Sequence, residues 1–185
     1  MLSEIREATP NDVYTIARLH AESWKQAYRG VLTDVYLDER VEADRMQAWQ
    51  KRFAENNPNQ WVILWYENDV PVGFAALFLH EDAAFGHLVD NLHVLPDWQG
   101  RGLGRKLMAA CAEKGLSVDE NQPIHLWVYA ENHAARRVYA RWQGEESGTI
   151  REKAADEEIK TVIRYVWPDS VLLLPRAPHQ HQSDG

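Results

Sequence analysis

The sequence has little cysteine, no long apolar run and no excess of positive charge. Its 185 residues contain one cysteine, Cys111, which excludes a disulfide framework and makes a reducing cytoplasm the expected location. No run approaches 18 apolar residues, and the first residues, MLSEIREATP, lack the apolar stretch of a signal peptide, so we expect no membrane association. The net charge of −8 disfavours a nucleic-acid partner and mildly favours a cationic one such as an amine.

The order of apolar segments predicts one α/β domain with a single sheet. Strand-like segments occupy residues 3–7, 61–66, 70–79, 87–95, 124–129, 149–153 and 160–166. Helical patterns follow Thr9, cover residues 41–55, follow a glycine-rich loop near residue 100, and cover about residues 133–142. We assign residues 1–167 to the domain and residues 168–185 to a C-terminal extension, of which 176–185 is an expected disordered tail.

Two helices show apolar faces that predict how they pack. The first begins at Thr9-Pro10-Asn11-Asp12, a pattern typical of a capped helix start. Its expected buried stripe consists of Val13, Ile16, Ala17, His20, Trp24 and Ala27. The helix after the glycine-rich loop presents one apolar face, formed by Leu103, Leu107, Ala110 and Cys111. Cys111 is therefore expected to be a structural thiol.

The segment QGRGLGR, residues 99–105, is typical of an anion-binding loop. It lies between a strand and a helix, where unpaired N–H groups and the helix dipole favour a phosphate. Glycine at 100, 102 and 104 allows close backbone approach, and Arg101 and Arg105 add positive charge. A dinucleotide fingerprint requires G-x-G-x-x-G and a P-loop requires G-x-x-x-x-G-K-[ST]. Neither pattern is present.

The loop and its surroundings resemble the GNAT acetyltransferases. Residues 92–108 (LHVLPDWQGRGLGRKLM) are similar to the family's motif Q/R-x-x-G-x-G/A, here Gln99, Gly102 and Gly104. Residues 128–139 (VYAENHAARRVY) resemble its N-x-x-A-x-x-x-Y pattern, and residues 20–30 (HAESWKQAYRG) resemble its first helix. The likeness covers roughly residues 3–167. It implies a GNAT-like α/β (α+β) fold, with a mixed, mostly antiparallel sheet of about seven strands and helices on both faces.

The resemblance implies acetyl-CoA as co-substrate, bound in a gap where two neighbouring strands splay apart. These strands would be the segments 87–95 and 124–129, and the backbone of the first would pair with the pantetheine arm. No metal is implied. The expected acetyl-CoA contacts are Leu92, His93, Val94, Gln99, Gly100, Arg101, Gly102, Leu103, Gly104, Arg105 and Asn132. Asn132 also suits the N-cap of the following helix.

The reaction implied is direct attack of a primary amine on the acetyl group, without an acyl-enzyme. Because such an amine is mostly protonated at neutral pH, a general base is required. Asp90 is the first choice, with Glu22 as another candidate. His93 has an ordinary pKa closer to neutrality, but it lies an odd number of residues from Asp90 and is expected on the opposite strand face. Tyr139 occupies the position of the family's general acid.

The acceptor is the least defined part of the prediction. The resemblance places it beside the first helix, where Glu22, Trp24 and Tyr28 could contact a small-molecule or peptide amine, although Trp24 also fits the core. A monomer or homodimer is expected. The alternatives are a catalytically inactive acyl-CoA-binding regulatory module and a nucleotide-binding protein. The pair His179 and His181 resembles a metal site, but no further ligand pattern joins it.

Overall fold

A seven-stranded sheet separates two layers of helices in the computed structural model, which describes residues 2–175. The strands lie in the order β1-β2-β3-β4-β5-β7-β6, and within the described residues β4 and β5 form the one parallel pair. This arrangement confirms the predicted mixed, mostly antiparallel sheet. In chain order the elements are β1 (Ser3–Glu7), α1 (Val13–Ala27), α2 (Val41–Glu55), β2 (Gln60–Glu67), β3 (Val70–Asp82), β4 (Gly86–Val94), α3 (Leu103–Val118), β5 (Ile124–Tyr129), α4 (His133–Arg141), β6 (Glu145–Lys153) and β7 (Ile159–Trp167).

Helix α3 covers one face of the sheet with its predicted apolar face. Leu103, Leu107 and Cys111 are buried, and Ala110 lies partly buried at the edge of the same core. Burial of a leucine side chain contributes about 1.5–3 kcal/mol to folding. Burial also raises the pKa of the Cys111 thiol to about 12, so this cysteine is an unreactive core residue at neutral pH.

Helices α1 and α2 cover the other face. Ile16, Ala17 and His20 of the predicted stripe are buried, and Trp49 of α2 packs with them. The prediction for Ala27 is wrong: its side chain is exposed because α1 ends at this residue. At the other end of α1, Thr9 and Asp12 form a reciprocal capping box around a 3-10 turn, Pro10–Asp12.

The strands β4 and β5 pair over a short distance and then separate. Their parallel register comprises two residue pairs, His87 with Ile124 and Leu88 with His125. Beyond them, β4 continues to Val94 without β5 as a partner. Unpaired strand edges offer backbone donors and acceptors to an extended ligand. The expected splay is therefore present.

The chain returns to α3 after β7. A 3-10 helix, Ser170–Leu173, packs there and buries Leu173 in the core beneath α3. The predicted tail, residues 176–185, and its His179–His181 pair lie outside the described residues. In the part of the chain that the structure describes, no helix is long and apolar enough to span a membrane.

Candidate active site

The glycine loop forms an open backbone cradle at the start of α3. Gln99 ties it to the end of β4, because its side-chain Nε2 donates to the Val94 carbonyl oxygen at 3.0 Å. Gly100 and Gly102 have φ angles of +74° and +79°, which side chains disfavour. A Cβ at either position would meet no protein atom within 4 Å. The space beside the loop is thus free for a ligand at the N-terminus of α3.

The two loop arginines are held differently. Arg101 Nη2 donates to the Asp97 carbonyl oxygen at 3.0 Å, and its guanidinium lies 4.5 Å from the centre of the Trp98 ring. Arg105 Nη2 donates to the Leu172 carbonyl oxygen at 2.6 Å, so the C-terminal 3-10 helix fixes its position. The Nη1 atom of Arg105 is buried and has no hydrogen-bond partner among the described residues. Arg105 itself lines the cleft described below, so its positive charge lies beside the loop.

A cleft of about 790 Å³ joins the loop to β4, α1 and α4. The predicted site residues that line it are Tyr28, Leu92, His93, Val94, Gln99, Gly100, Gly102, Leu103, Gly104, Arg105, Asn132 and Tyr139. Arg101, Asp90 and Trp24 lie outside this lining. Glu22 lies in a separate recess of about 500 Å³, which shares Gln26 and Pro96 with the cleft.

Tyr139 presents a protonated phenol to the cleft. Its ring packs against the rings of Trp142, Tyr165 and Trp167, at centroid distances of 5.8, 5.7 and 6.1 Å. Burial raises the pKa of Tyr139 to about 12. Burial also raises the pKa of Tyr28, and a smaller contribution comes from Tyr139. The two phenols therefore lie near each other in the cleft wall, and both keep their protons at neutral pH.

Asn132 caps α4. Its Oδ1 accepts a hydrogen bond from the Ala135 backbone N–H at 3.1 Å, which is the predicted N-cap interaction. Asn132 also lines the cleft, so the cap holds its side chain beside the space available to a ligand.

A β-bulge at Asp90 changes the expected orientation of β4. Val89 pairs with Leu77 and Asn91 with Ala76, which leaves Asp90 without a partner in register. The inserted residue shifts the alternation of side chains. Asp90 therefore contacts Arg52 of α2 at 2.6 Å, and His93 contacts Ser23 of α1 at 3.1 Å, so both lie on the α1–α2 side of the sheet. The prediction that His93 faces opposite Asp90 is wrong.

His93 is a neutral imidazole in the cleft wall. Burial lowers the pKa of His93 to about 3, with a further contribution from the charge of Arg45. Its ring lies 4.7 Å from that of His20, whose pKa is also lowered well below its usual value by burial. The expectation of a near-neutral pKa for His93 is therefore wrong, and His93 is a weak base at neutral pH.

Two arginines of α2, Arg45 and Arg52, lie near the cleft and were not predicted as site residues. They are seven residues apart, a spacing that places both on one helix face. This spacing is the feature of the sequence from which the pair could have been predicted. The Arg45 guanidinium lies 4.3 Å from the centre of the Trp24 ring, and Arg52 holds Asp90. Trp24 is partly buried between Arg45 and Tyr28, so it forms a layer behind the cleft.

Comparison with known proteins assigns the family. The sequence model of the Acetyltransferase (GNAT) family matches residues 16–144, more than half of the chain. The chain belongs to the GNAT family. An uncharacterized N-acetyltransferase of Archaeoglobus fulgidus is 29% identical over 143 residues, which cover 74% of this chain and 89% of that protein. The uncharacterized N-acetyltransferase YuaI of Bacillus subtilis is 25% identical over 69% of this chain and 72% of its own.

Solved structures share the GNAT fold of this chain. The PaiA N-acetyltransferase from Thermoplasma acidophilum, in complex with coenzyme A, has a TM-score of 0.66 and 18% identity, with 90% of this chain and 100% of that chain covered. The yncA structure from Salmonella typhimurium, with its cofactor acetyl-CoA, has a TM-score of 0.63 and 16% identity, with 98% and 99% covered. At such low identity these likenesses establish the GNAT fold alone.

Proposed function

We propose that this GNAT protein transfers an acetyl group from acetyl-CoA to a primary amine by direct attack in a ternary complex. One observation carries the proposal: a single cleft brings together the glycine loop, the unpaired edge of β4 and the protonated phenol of Tyr139. Two proteins of the same fold hold coenzyme A or acetyl-CoA in their structures. The amine is a small molecule or a peptide, and the predicted cytoplasmic location suits such a substrate.

The residues present fit acetyl-CoA. Open space beside Gly100 and Gly102, together with the positive charge of Arg105 in the cleft lining, suits a pyrophosphate. The edge of β4 at Leu92 and Val94 is not paired with β5 and suits the amides of the pantetheine arm, although the Val94 carbonyl oxygen already accepts from Gln99. When bound, acetyl-CoA supplies a thioester whose acetyl carbon accepts the amine nitrogen. Tyr139, which keeps its proton at neutral pH, then donates that proton to the departing sulfur as the C–S bond breaks.

Asp90 is the proposed general base. It lies at the bulge of β4, on the side of the sheet occupied by α1, and its negative charge contributes to the raised pKa of the cleft residue Tyr28. Since Asp90 itself does not line the cleft, the ammonium proton reaches its carboxylate through a water molecule. Tyr28 supplies an apolar wall for the acceptor, and Trp24 packs against Tyr28 behind that wall. Glu22 contacts an acceptor only if the acceptor extends into the neighbouring recess.

Release of free CoA thiol from acetyl-CoA tests the activity. The panel comprises polyamines, amino acids, amino sugars and short peptides with a free N-terminus. We expect release that depends on one class of amine and exceeds hydrolysis without amine by at least about 100-fold, the contribution of a positioned acid or base. Tight acetyl-CoA binding with no amine-dependent release across the panel would instead indicate a regulatory acyl-CoA-binding module.

Replacement of Asp90 by asparagine tests the base. The amide oxygen can still accept from Arg52, so the fold is retained, but the proton acceptor is lost. We expect kcat/KM for the amine to fall by about 10²- to 10⁴-fold while acetyl-CoA binding is unchanged. Glu22→Gln serves as the comparison and should leave kcat within about twofold, as is usual for an exposed site. A large loss of kcat in Glu22→Gln and none in Asp90→Asn would assign the base to Glu22.

A further inference from the structure

Ser23 and His93 form a hydrogen-bonded pair at the cleft wall. Ser23 Oγ lies 3.1 Å from His93 Nδ1, and Ser23 is buried, with 4% of its surface exposed. Among the described residues, no other hydrogen bond is made by this hydroxyl. A buried hydroxyl that does not donate its proton is costly. Ser23 therefore donates to Nδ1, and the proton of the neutral imidazole resides on Nε2.

His20 repeats this arrangement directly behind His93. Trp49 Nε1 donates to His20 Nδ1 at 3.0 Å, which likewise places the proton of His20 on Nε2. That atom is buried and has no partner among the described residues, whereas His93 Nε2 does not belong to the buried unpartnered atoms. His93 itself lines the cleft. The Nε2–H group of His93 is therefore a donor that a substrate in the cleft can reach.

The surroundings of His93 disfavour its protonated form. The ring stacks on His20 and on Phe74, at centroid distances of 4.7 and 5.3 Å, and the Arg45 cation lies on the same side of the sheet. No carboxylate is among the groups that shift its pKa. A neutral imidazole cannot donate a full proton readily, but it stabilises a developing negative charge through a fixed hydrogen bond.

We propose that His93 is a catalytic hydrogen-bond donor, whose Nε2–H binds the thioester carbonyl oxygen while negative charge develops there. The role rests on the proposed acetyl transfer. His93 transfers no proton: the amine loses its proton to the base, Tyr139 protonates the sulfur, and the imidazole contributes a hydrogen bond alone. Ser23 is the positioning residue that fixes the tautomer.

Three variants test this role by acetyl-CoA thiol release with the best amine of the panel. His93→Leu removes the donor and should lower kcat by about 100- to 1000-fold, the usual cost of losing one such donor, with the KM for acetyl-CoA within about threefold. His93→Gln retains an N–H donor at a similar reach and should keep kcat within about tenfold of the wild type. Ser23→Ala removes the hydrogen bond that keeps the His93 proton on Nε2. It should lower kcat by about three- to tenfold, well short of the loss in His93→Leu.

A pH profile separates a hydrogen-bond donor from a base. Because His93 does not titrate between pH 5.5 and 9, kcat for His93→Gln should show the same profile shape as the wild type. An acid limb near pH 6.5 in the wild type that disappears in His93→Gln would overturn the role, since it would make His93 the base. Wild-type kcat in a folded His93→Leu would also overturn it, and would leave the acetyltransferase proposal intact. Absence of transfer by the wild type overturns both.

Discussion

Replacement of Tyr139 by phenylalanine is expected to lower kcat by about 10²- to 10⁴-fold, the range for loss of a general acid. Phenylalanine keeps the ring that packs against Trp142, Tyr165 and Trp167, so the thermal unfolding temperature should change little. Acetyl-CoA should bind with unchanged affinity. The measurement is amine-dependent thiol release under saturating acetyl-CoA, together with equilibrium binding of acetyl-CoA to the variant.

Tyr165→Phe provides a matched control. This ring lies 5.7 Å from that of Tyr139, and its hydroxyl donates to Glu146 at 2.6 Å. Loss of the Tyr165 hydroxyl should leave kcat within about threefold, because the hydrogen bond removed, worth about 1.5–3 kcal/mol to folding, points to Glu146, which does not line the cleft. Equal losses in both variants would point to damaged packing of α4 rather than to a lost acid.

The pKa of Tyr139 also predicts how kcat depends on pH if Tyr139 is the general acid. A general acid works in its protonated form, and its contribution is lost as the pH rises through its pKa. Since burial raises that pKa to about 12, Tyr139 should cause no fall in kcat below about pH 11. An alkaline limb near pH 9 that vanishes in Tyr139→Phe would contradict this account.

Replacement of Gly102 by alanine is expected to weaken acetyl-CoA binding by about 10- to 100-fold, equivalent to about 1.4–2.7 kcal/mol. The new Cβ meets no protein atom within 4 Å, so it enters the space proposed for the pyrophosphate. The φ of +79° also strains alanine, at a cost of about 1–2 kcal/mol to folding. Calorimetric titration with acetyl-CoA and urea unfolding measure the two effects separately.

Gly30→Ala separates strain from ligand contact. Gly30 has a φ of +78°, its added Cβ also meets nothing within 4 Å, and it lies outside the cleft lining. Both variants should therefore lose similar stability, and only Gly102→Ala should lose affinity for acetyl-CoA. Wild-type affinity in Gly102→Ala would show that the pyrophosphate does not lie against this loop.

Local sequence patterns were sufficient for the features that depend on neighbouring residues. The structure bears out the limits of α2 and β5, the capped helix start at Thr9 and the open glycine loop, because each depends on spacing within a few residues. The π-helix at Tyr36–Arg40 gave no comparable signal. Its wider turn has no strong residue preference that single-sequence reasoning can use.

The errors concern features that depend on residues far apart in the chain. Strand alternation placed His93 opposite Asp90, but the bulge is set by the register of β4 against β3 and cannot be read from β4 alone. The low pKa of His93 results from burial beneath α1 and from the charge of Arg45 on α2. Ser23, the α1 residue that contacts His93, is seventy residues away in sequence, and Arg45 is forty-eight residues away. The ion pair of Asp90 with Arg52 likewise joins α2 to β4.

The most direct test of acetyl transfer follows a deuterium-labelled acetyl group of acetyl-CoA in a single reaction. The account predicts that the label appears on the nitrogen of the amine, in an amount equal to the free CoA thiol released. Intact-protein mass measured during the reaction should show no acetylated enzyme, because the amine attacks directly. Free thiol formed without acetylated amine, or label bound covalently to the protein before the amine is added, would contradict the account.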